Sequence, residues 1–558
     1  MRCPRCNMEW DGRTLEGSLY VCSTCSTHLP MPARARIAQL VDPGTFREYD
    51  RDLIPLDPLG FADHKPYTIR LRDAQARSGL QEAVLAGRAR IGGVPCVLVV
   101  FDFAFLGGTI GSCVGEKVAR AFERATRRRR PLVAVVSSAG ARMQEGPVAL
   151  FQVSKVMTAL LRHEQAGLPF VVLLAHPAFG GALISFASRA DVLLAEPEAL
   201  LGFVGPRVAE GAFGEQLVDA AYRSEAWLQK GLVDEIVPRP RQRERIAELL
   251  RLLRPTFPRA PQPTLNVPQP PPADRSGWDA VQRVRHPDRP TALQYLQRIA
   301  HPFVELRGDR ATEDDPAVVG GLARIAGYPV VVIAQQRSRR GGLASCAGYR
   351  KAIRLLRLAH KVQLPVLTLL DTPGADAGDP GIAHALADCL ATMLSVRSPT
   401  VSVLTGEGAG AGTISLAAAD RLLMLEGAVC SVMTPEGAAA ILYRDPSRAP
   451  EVAEHLRLRA TDLRALGLID RIIPEPPGGA HTDPDAAAEL LAAAVGEALR
   501  DVVAVPEHRR LRQRHRRYRR VGAVGSARRA WVVERIAGFR TALRQRLAGR
   551  RPEPAPGI

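Results

Sequence analysis

The chain carries the same long sequence pattern twice. The segment GRARIGGVP at 87–95 returns as GLARIAGYP at 321–329, 234 positions later. At the same offset Lys117 recurs as Lys351 and Gly140-Ala141 as Gly374-Ala375. Further on, GLVDEIVP at 231–238 pairs with GLIDRIIP at 467–474. The chain is therefore a tandem duplication of one large domain, and both halves must adopt the same architecture.

Each copy is organised around a glycine turn. In the first copy an apolar run ends at His176-Pro177, Gly180-Gly181 follow, and a second apolar run begins at Val192. This order predicts strand, glycine turn, helix and strand. The first amides of a helix lack intrahelical partners, so such a turn can hold an anion as an oxyanion hole. A tight turn without a ligand is the alternative.

The second copy keeps this turn as GEGAGAGTIS at 406–415. Retention in both copies favours a site with two anionic centres. Two further loops are candidates for anion contacts. The glycine-rich loop 105–117 fits neither the Walker nor the dinucleotide spacing. In loop 137–146, Arg142 either meets an acyl or phosphate anion or pairs with Glu145, and the sequence leaves both open.

Composition predicts a globular protein of the reducing cytoplasm. Hydrophobic residues make up 46% of the 558 residues and charged residues 24%, which suits buried cores. The net charge of +18 comes mainly from arginine, and it indicates either a polyanionic partner or a genome rich in arginine codons. In both cases the surface would attract acidic substrates such as phosphorylated cofactors. The uncharged run 165–188 is broken by prolines and paired glycines, so we expect no membrane helix.

Four of the nine cysteines form a paired CxxC motif at the start of the chain, and the other five are scattered singly. The spacing is typical of a structural zinc ribbon with a closed tetrahedral shell of thiolates. The predicted zinc ligands are Cys3, Cys6, Cys22 and Cys25.

Composition and the repeat together predict five segments. Residues 1–28 form the ribbon, 33–253 the first domain, 254–277 a proline-rich linker, 278–505 the second domain, and 506–558 a basic helical tail. The tail is interpreted either as a helix that docks on the enzyme body or as a site for nucleic acid or an acidic protein. The docked helix is favoured.

The motifs resemble the carboxyltransferase of acetyl-coenzyme A carboxylase, with a β-subunit-like half followed by an α-subunit-like half. The β-like motifs are the ribbon, FLGG at 105–108, GEK at 115–117, GARMQEG at 140–146, GG at 180–181, AEP at 195–197 and GFVGPR at 202–207. The α-like motifs are HPDRP at 286–290, ELRGDR at 305–310, GYRKA at 348–352, DTPGA at 371–375, GEG at 406–408, TPEG at 434–437 and 475–481.

The resemblance implies a fold and a reaction. It implies an α/β protein with two tandem crotonase-like domains, each a spiral of ββα units, and an active site between halves of different protomers in a homo-oligomer. Carboxybiotin on a biotin carboxyl carrier protein, charged by biotin carboxylase, would give its carboxyl group to acetyl-CoA and yield malonyl-CoA.

By the same resemblance, the Gly180 and Gly181 amides serve the thioester oxygen, and the Ala411 and Gly412 amides serve the biotin ureido oxygen. Contacts with coenzyme A or biotin are predicted at Gly107, Gly108, Gly140, Ala141, Arg142, Gly205, Arg207, Gly374, Ala375 and Gly408.

Alternatives to this reaction remain at this point. The family usually has glycine where this chain has Ala139 and Ala411, so Ala411 requires a negative φ. Transfer to propionyl-CoA or a longer acyl-CoA is one alternative, since a pocket distinguishes one methylene by only about 1–3 kcal/mol. A catalytically impaired CoA-binding or regulatory protein, using ribbon and tail, is another. A stand-alone hydratase would need a carboxylate pair, which neither turn has.

Overall fold

The computed structural model describes residues 2–3, 5–205, 219–258 and 276–522. The chain divides into two compact units, Met1–Arg512 and Gln513–Ile558. The first unit contains the ribbon and both halves of the duplication. Of the second unit, the described part is 513–522, which includes the end of a helix. Most of the predicted linker and tail lie outside the described residues.

The first half is built on one eight-stranded sheet. Its strands are β1 (Arg47–Glu48), β2 (Val84–Ile91), β3 (Val94–Phe101), β4 (Leu132–Ser138), β5 (Phe170–Phe179), β6 (Val192–Ala195), β7 (Leu201–Gly202) and β8 (Glu235–Ile236). They lie in the order β1-β2-β3-β4-β5-β6-β8, and β7 pairs with β5. β1 and β2, and β2 and β3, are antiparallel, whereas the remaining pairs are parallel.

The second half repeats this sheet strand for strand. Its strands are β9 (Phe303–Glu305), β10 (Val318–Ile325), β11 (Tyr328–Gln335), β12 (Val366–Thr372), β13 (Thr400–Ala409), β14 (Arg421–Leu425), β15 (Val429–Ser431) and β16 (Arg471–Ile473). The order is β9-β10-β11-β12-β13-β14-β16, with β15 beside β13. The matching order and strand directions confirm the predicted α/β fold of two equivalent domains.

Helices cover the sheets and connect the parallel strands, because parallel strands need crossover connections. In the first half and the ribbon they are α1 (Gly12–Gly17), α2 (Ala33–Leu40), α3 (Tyr67–Ser78), α4 (Ser112–Arg127), α5 (Gly146–Gln165), α6 (Gly181–Ser185), α7 (Ser224–Gln229) and α8 (Arg239–Leu252). The remaining helices are α9 (Gly277–Val284), α10 (Ala292–Ile299), α11 (Cys346–Val362), α12 (Ile382–Ser395), α13 (Gly410–Ala417), α14 (Pro435–Tyr443), α15 (Ala449–His455), α16 (Ala460–Ala465), α17 (Pro484–Ala504) and α18 (Glu507–Arg519).

The central strands are apolar because both faces are covered. All residues of β4 and β12 are buried, as expected for parallel strands between helical layers. The two halves meet through charged contacts to two aspartates of the first half, of which Asp234 is buried. Asp234 accepts from Arg310 and Arg354, and Asp191 accepts from Lys361 at 2.8 Å. These contacts hold the halves side by side within one chain.

Candidate active site

The turn in the first half follows β5 directly. Gly180 has φ +57°, a conformation that favours glycine, and Gly181 is the first residue of α6. The Gly180 N–H is already used, because it donates to the Gly202 carbonyl oxygen at 3.1 Å. The Gly181 N–H, at the start of a helix, has no intrahelical acceptor. Of the two predicted donors, Gly181 is therefore the one available to a ligand.

A second amide lies beside that of Gly181. After β4, Gly140 has φ +110°, its carbonyl accepts from Ile110 N–H at 2.8 Å, and Arg142 N–H donates to the Ile110 carbonyl at 3.0 Å. These bonds fix the loop and leave the intervening Ala141 N–H without an acceptor among the described residues. A methyl group built on Gly181 would lie 3.3 Å from the Ala141 nitrogen. The Ala141 and Gly181 amides thus border a common space.

The second half repeats this arrangement. Gly410, which follows β13 and begins α13, has φ +62°, as Gly180 has φ +57°. In the neighbouring loop Gly374 has φ +157°, and Asp376 N–H donates to the Ala344 carbonyl at 3.0 Å, as Arg142 does to Ile110. By this equivalence Ala375 corresponds to Ala141, and Ala411 corresponds to Gly181.

The alanine at position 411 is compatible with the turn. Among the described residues, positive φ falls on the preceding Gly410 and not on Ala411. Gly412 is needed for a different reason, because a methyl group there would lie 2.6 Å from the Gly374 carbonyl oxygen. Gly412 thus lets the helix approach the loop that carries Ala375.

The side chain of Arg142 is paired inside the protein. Its side chain is fully buried and donates to both oxygens of Glu82, at 2.6 and 2.9 Å, and to the Tyr67 hydroxyl at 3.1 Å. Burial disfavours the guanidinium charge, but the Glu82 carboxylate outweighs it and keeps the pKa of Arg142 above its ordinary value. The side chain of Arg142 therefore has a structural role, with Glu82 as the main partner and Glu145 at 3.4 Å, and the cofactor contact at Arg142 stays a prediction.

A corresponding network of charged side chains supports the turn of the second half. Glu407, within β13, accepts from Arg285 at 2.7 and 3.0 Å and from Arg337 at 3.2 Å. Its N–H donates to Asp371 at 3.0 Å. Burial raises the pKa of Asp371 to about 6, although the nearby Arg337 opposes that shift. The network ties the end of β12 to β13.

The four predicted zinc ligands converge. The sulfur atoms of Cys3, Cys6, Cys22 and Cys25 all lie within 4.8 Å of one another. The Cys3–Cys25 and Cys6–Cys22 sulfur distances are both 3.6 Å, close to the roughly 3.8 Å edge of a tetrahedron with Zn–S bonds of about 2.3 Å. The donor set therefore fits a closed structural zinc site.

The ribbon is anchored to the first half. Arg239 donates to the Leu19 and Tyr20 carbonyls, at 3.0 and 2.8 Å, and to the buried Glu196 at 2.8 Å. Arg5 pairs with Glu198 at 2.7 Å. Both glutamates lie in the segment between β6 and β7, so the ribbon braces the strand connection that leads to Gly202.

Comparison with known proteins decides the family. A sequence model described as acetyl co-enzyme A carboxylase carboxyltransferase-like matches residues 273–522. The acetyl-coenzyme A carboxylase carboxyl transferase subunits beta/alpha of Salinispora tropica is 44% identical over 552 residues, covering 95% of this chain and 97% of that protein. The chain belongs to the acetyl-CoA carboxylase carboxyltransferase family.

Other similar proteins share its fold or reaction class. A probable biotin-dependent acyl-coenzyme A carboxylase beta3 subunit of Mycobacterium bovis is 36% identical and covers 87% of this carboxyltransferase and 97% of itself. The transcarboxylase 12S crystal structure has a TM-score of 0.68 at 21% identity, covering 86% and 91% of the two chains. This carboxyltransferase is thus a biotin-dependent acyl-CoA carboxyltransferase with crotonase-like halves.

The other residues of the carboxyltransferase that were predicted to contact coenzyme A or biotin lie in loops, within a strand, or outside the described residues. Gly107 and Gly108 have positive φ, and a methyl group on Gly108 would lie 2.2 Å from the Ser137 carbonyl oxygen, so Gly108 packs against β4. Gly408 is buried inside β13, and a methyl group there would meet Leu404 and Thr413; its ligand contact stays a prediction. Gly205 ends a described segment, and Arg207 lies outside the described residues.

Sequence reasoning missed part of the second site. Gly410 carries the positive φ of the turn, and Gly341-Gly342 form the counterpart of Gly107-Gly108, with φ +62° and +80°. The offset of 234 relates the two pairs, so the repeat in the sequence was enough to predict the second pair from the first.

In the described part of the carboxyltransferase no helix combines the length and apolar composition that a bilayer crossing requires.

We expect Cys22→Ser to remove the metal from the carboxyltransferase without unfolding its two halves. The ribbon has its own small core, including Cys3, Leu15 and Tyr20, and depends on metal for most of its stability. Metal analysis should give about one zinc per chain in the parent and almost none in the variant. Cys430→Ser, at a cysteine outside the cluster, is the control and should keep the zinc. Full zinc content in Cys22→Ser would contradict the assignment.

Proposed function

We propose that this carboxyltransferase moves the carboxyl group of carboxybiotin to acetyl-CoA, giving malonyl-CoA. The observation that carries the proposal is the pair of equivalent amide sites, one per half. We assign the Ala141 and Gly181 amides to the thioester oxygen and the Ala375 and Ala411 amides to the ureido oxygen of biotin. Gly180, Gly410 and Gly412 shape the turns that present these amides.

The chemistry needs stabilised negative charge in two places. Carboxybiotin supplies the carboxyl group as CO₂ and, after losing it, the base for a proton of the acyl methyl group. The Ala141 and Gly181 N–H groups then hold the charge that develops on the thioester oxygen as its methyl carbon loses a proton and attacks CO₂. The Ala375 and Ala411 N–H groups hold the charge on the ureido oxygen. Such fixed donors stabilise the transition state without reorganising.

Partners and assembly follow from the same assignment. We propose that a biotin carboxyl carrier protein, charged by biotin carboxylase, delivers the biotin, and that two or more copies of the chain associate. Exposed apolar side chains next to the turns support the association. Phe203 follows β7 and Val432 follows β15, and each is 70% exposed. The carbonyl oxygen of Phe203 would lie 3.3 Å from a methyl group built on Gly180, and that of Val432 would lie 3.3 Å from one built on Gly410.

Decarboxylation of malonyl-CoA in the presence of free biotin or biocytin tests the proposal without another subunit. Biotin-dependent formation of acetyl-CoA is the expected result, because the reverse half-reaction uses both amide sites. Rates with malonyl-CoA, methylmalonyl-CoA and longer analogues then define the acyl preference, and we expect malonyl-CoA to be fastest. Binding of malonyl-CoA without turnover would favour the catalytically impaired alternative.

We expect Ala411→Gly to raise the biotin-dependent rate several-fold. Ala411 corresponds to Gly181, whose missing side chain leaves space beside the Ala141 amide, so its methyl group narrows the equivalent space in the second half. The change should lower the KM for free biotin and leave the KM for malonyl-CoA unchanged. Ala417→Gly, in the same helix, is the control and should give no gain. An unchanged or lower rate in Ala411→Gly would show that the methyl does not restrict biotin.

A further inference from the structure

A wide cleft lies between the two halves, at the ends of the strands that are opposite to the glycine turns. Its walls include Pro131, Pro169 and Pro399, which immediately precede β4, β5 and β13. The oxyanion turns follow the other ends of β5 and β13. The cleft has a volume of about 1340 Å³ and takes residues from both halves of the chain. It is therefore separate from the proposed active site.

The cleft is strongly basic. Ten arginines and one lysine line it, against five carboxylates. Several of these cations are paired: Arg189 with Glu164, Arg350 with Asp309, and Arg397 with Glu507. Others make the contacts that join the halves, as described for Asp191 and Asp234.

Four lining guanidinium groups have no carboxylate partner in the described part of the chain. They belong to Arg129, Arg130, Arg254 and Arg357, and all four are exposed. Arg129 and Arg130 come from the first half, Arg254 begins the predicted linker, and Arg357 comes from the second half. Like charges gathered around one cleft repel one another, so their concentration here favours a bound anion.

We propose that this cleft binds a small soluble anion with two or more phosphoryl groups, bridging the two halves of one chain. Guanidinium groups bind phosphate oxygens through paired hydrogen bonds, which suits the arginine-dominated walls. The volume exceeds the roughly 300–1,000 Å³ of ordinary ligand pockets, which leaves room for several phosphoryl groups and their water. Because both halves contribute cations, the ligand stabilises their relative placement.

Calorimetric titration of the full chain with inorganic tripolyphosphate tests the site. We expect one site per chain, with an affinity that falls as salt rises. The triple variant Arg130→Gln, Arg254→Gln, Arg357→Gln should bind at least about tenfold more weakly. The matched control is Arg34→Gln, Arg88→Gln, Arg241→Gln, which removes three exposed arginines outside the cleft and should bind like the parent.

The same titration with ATP and with malonyl-CoA identifies the source of the phosphoryl groups. Tighter binding of ATP than of tripolyphosphate would indicate a nucleotide, and displacement of tripolyphosphate by malonyl-CoA would indicate the substrate's own phosphates; either supports the cleft. No binding of tripolyphosphate at millimolar concentration, equal losses in both triple variants, or binding of RNA alone would overturn it. Tripolyphosphate binding does not require malonyl-CoA decarboxylation, so the two proposals fail independently.

Discussion

Gly181→Ala is expected to reduce the rate of malonyl-CoA decarboxylation about 100-fold, because alanine keeps the N–H but its methyl group would displace the thioester oxygen from the two donors by about 1 Å. The new methyl group would lie 3.3 Å from the Ala141 nitrogen and 3.5 Å from the Gly140 carbonyl carbon. It would thus occupy the space that we assign to the thioester oxygen. The backbone tolerates alanine, since Gly181 is helical and has no positive φ.

The loss should appear in kcat more than in the affinity for malonyl-CoA. The oxyanion donors act most strongly on the charge that develops during the reaction, whereas the rest of coenzyme A binds elsewhere. Direct titration with malonyl-CoA separates the two effects. Gly17→Ala is the control, because a methyl group there meets nothing within 4 Å. If Gly181→Ala retains the parent rate, the Ala141–Gly181 assignment is wrong.

The architecture could be predicted from the sequence because the repeat is long and ordered. Motifs that keep an offset of 234 require equivalent sheets, and the structure has them strand for strand. The glycine pair at 180–181 likewise predicted a turn between strand and helix. These features depend on local order along the chain, which the sequence records directly.

Which backbone N–H groups are available as oxyanion donors depends on contacts between residues that are far apart in the sequence. The Gly180 N–H donates to the carbonyl oxygen of Gly202, 22 positions later, because β7 pairs with β5, and it is then not available to a ligand. Arg142 is held by Glu82, which is 60 positions away, rather than mainly by its neighbour Glu145. Strand register and the packing of distant loops decide both, and neither follows from spacing alone. The basic cleft is a further case, since its walls come from two halves.

Gly412→Ala is expected to abolish most biotin-dependent turnover while leaving the acyl-CoA half intact. A methyl group there would lie 2.6 Å from the Gly374 carbonyl oxygen and 2.9 Å from the Tyr349 hydroxyl. Such contacts with backbone cannot be relieved by a rotamer change, so the loop carrying Ala375 must move. A displacement of about 1 Å in a positioned donor typically costs about 100-fold in rate.

Two measurements distinguish a displaced donor from a misfolded half. Thermal unfolding of Gly412→Ala should remain cooperative, and titration with malonyl-CoA should give the parent affinity, because the Ala141 and Gly181 amides are in the other half. A parent-like rate in Gly412→Ala would show that the ureido oxygen is held elsewhere.

The two variants together test how the reaction is divided. If Gly181→Ala impairs the chemistry at the thioester and Gly412→Ala impairs only the use of biotin, the duplication has divided one reaction between two copies of the same turn. Each copy then stabilises one of the two anions that the transfer requires.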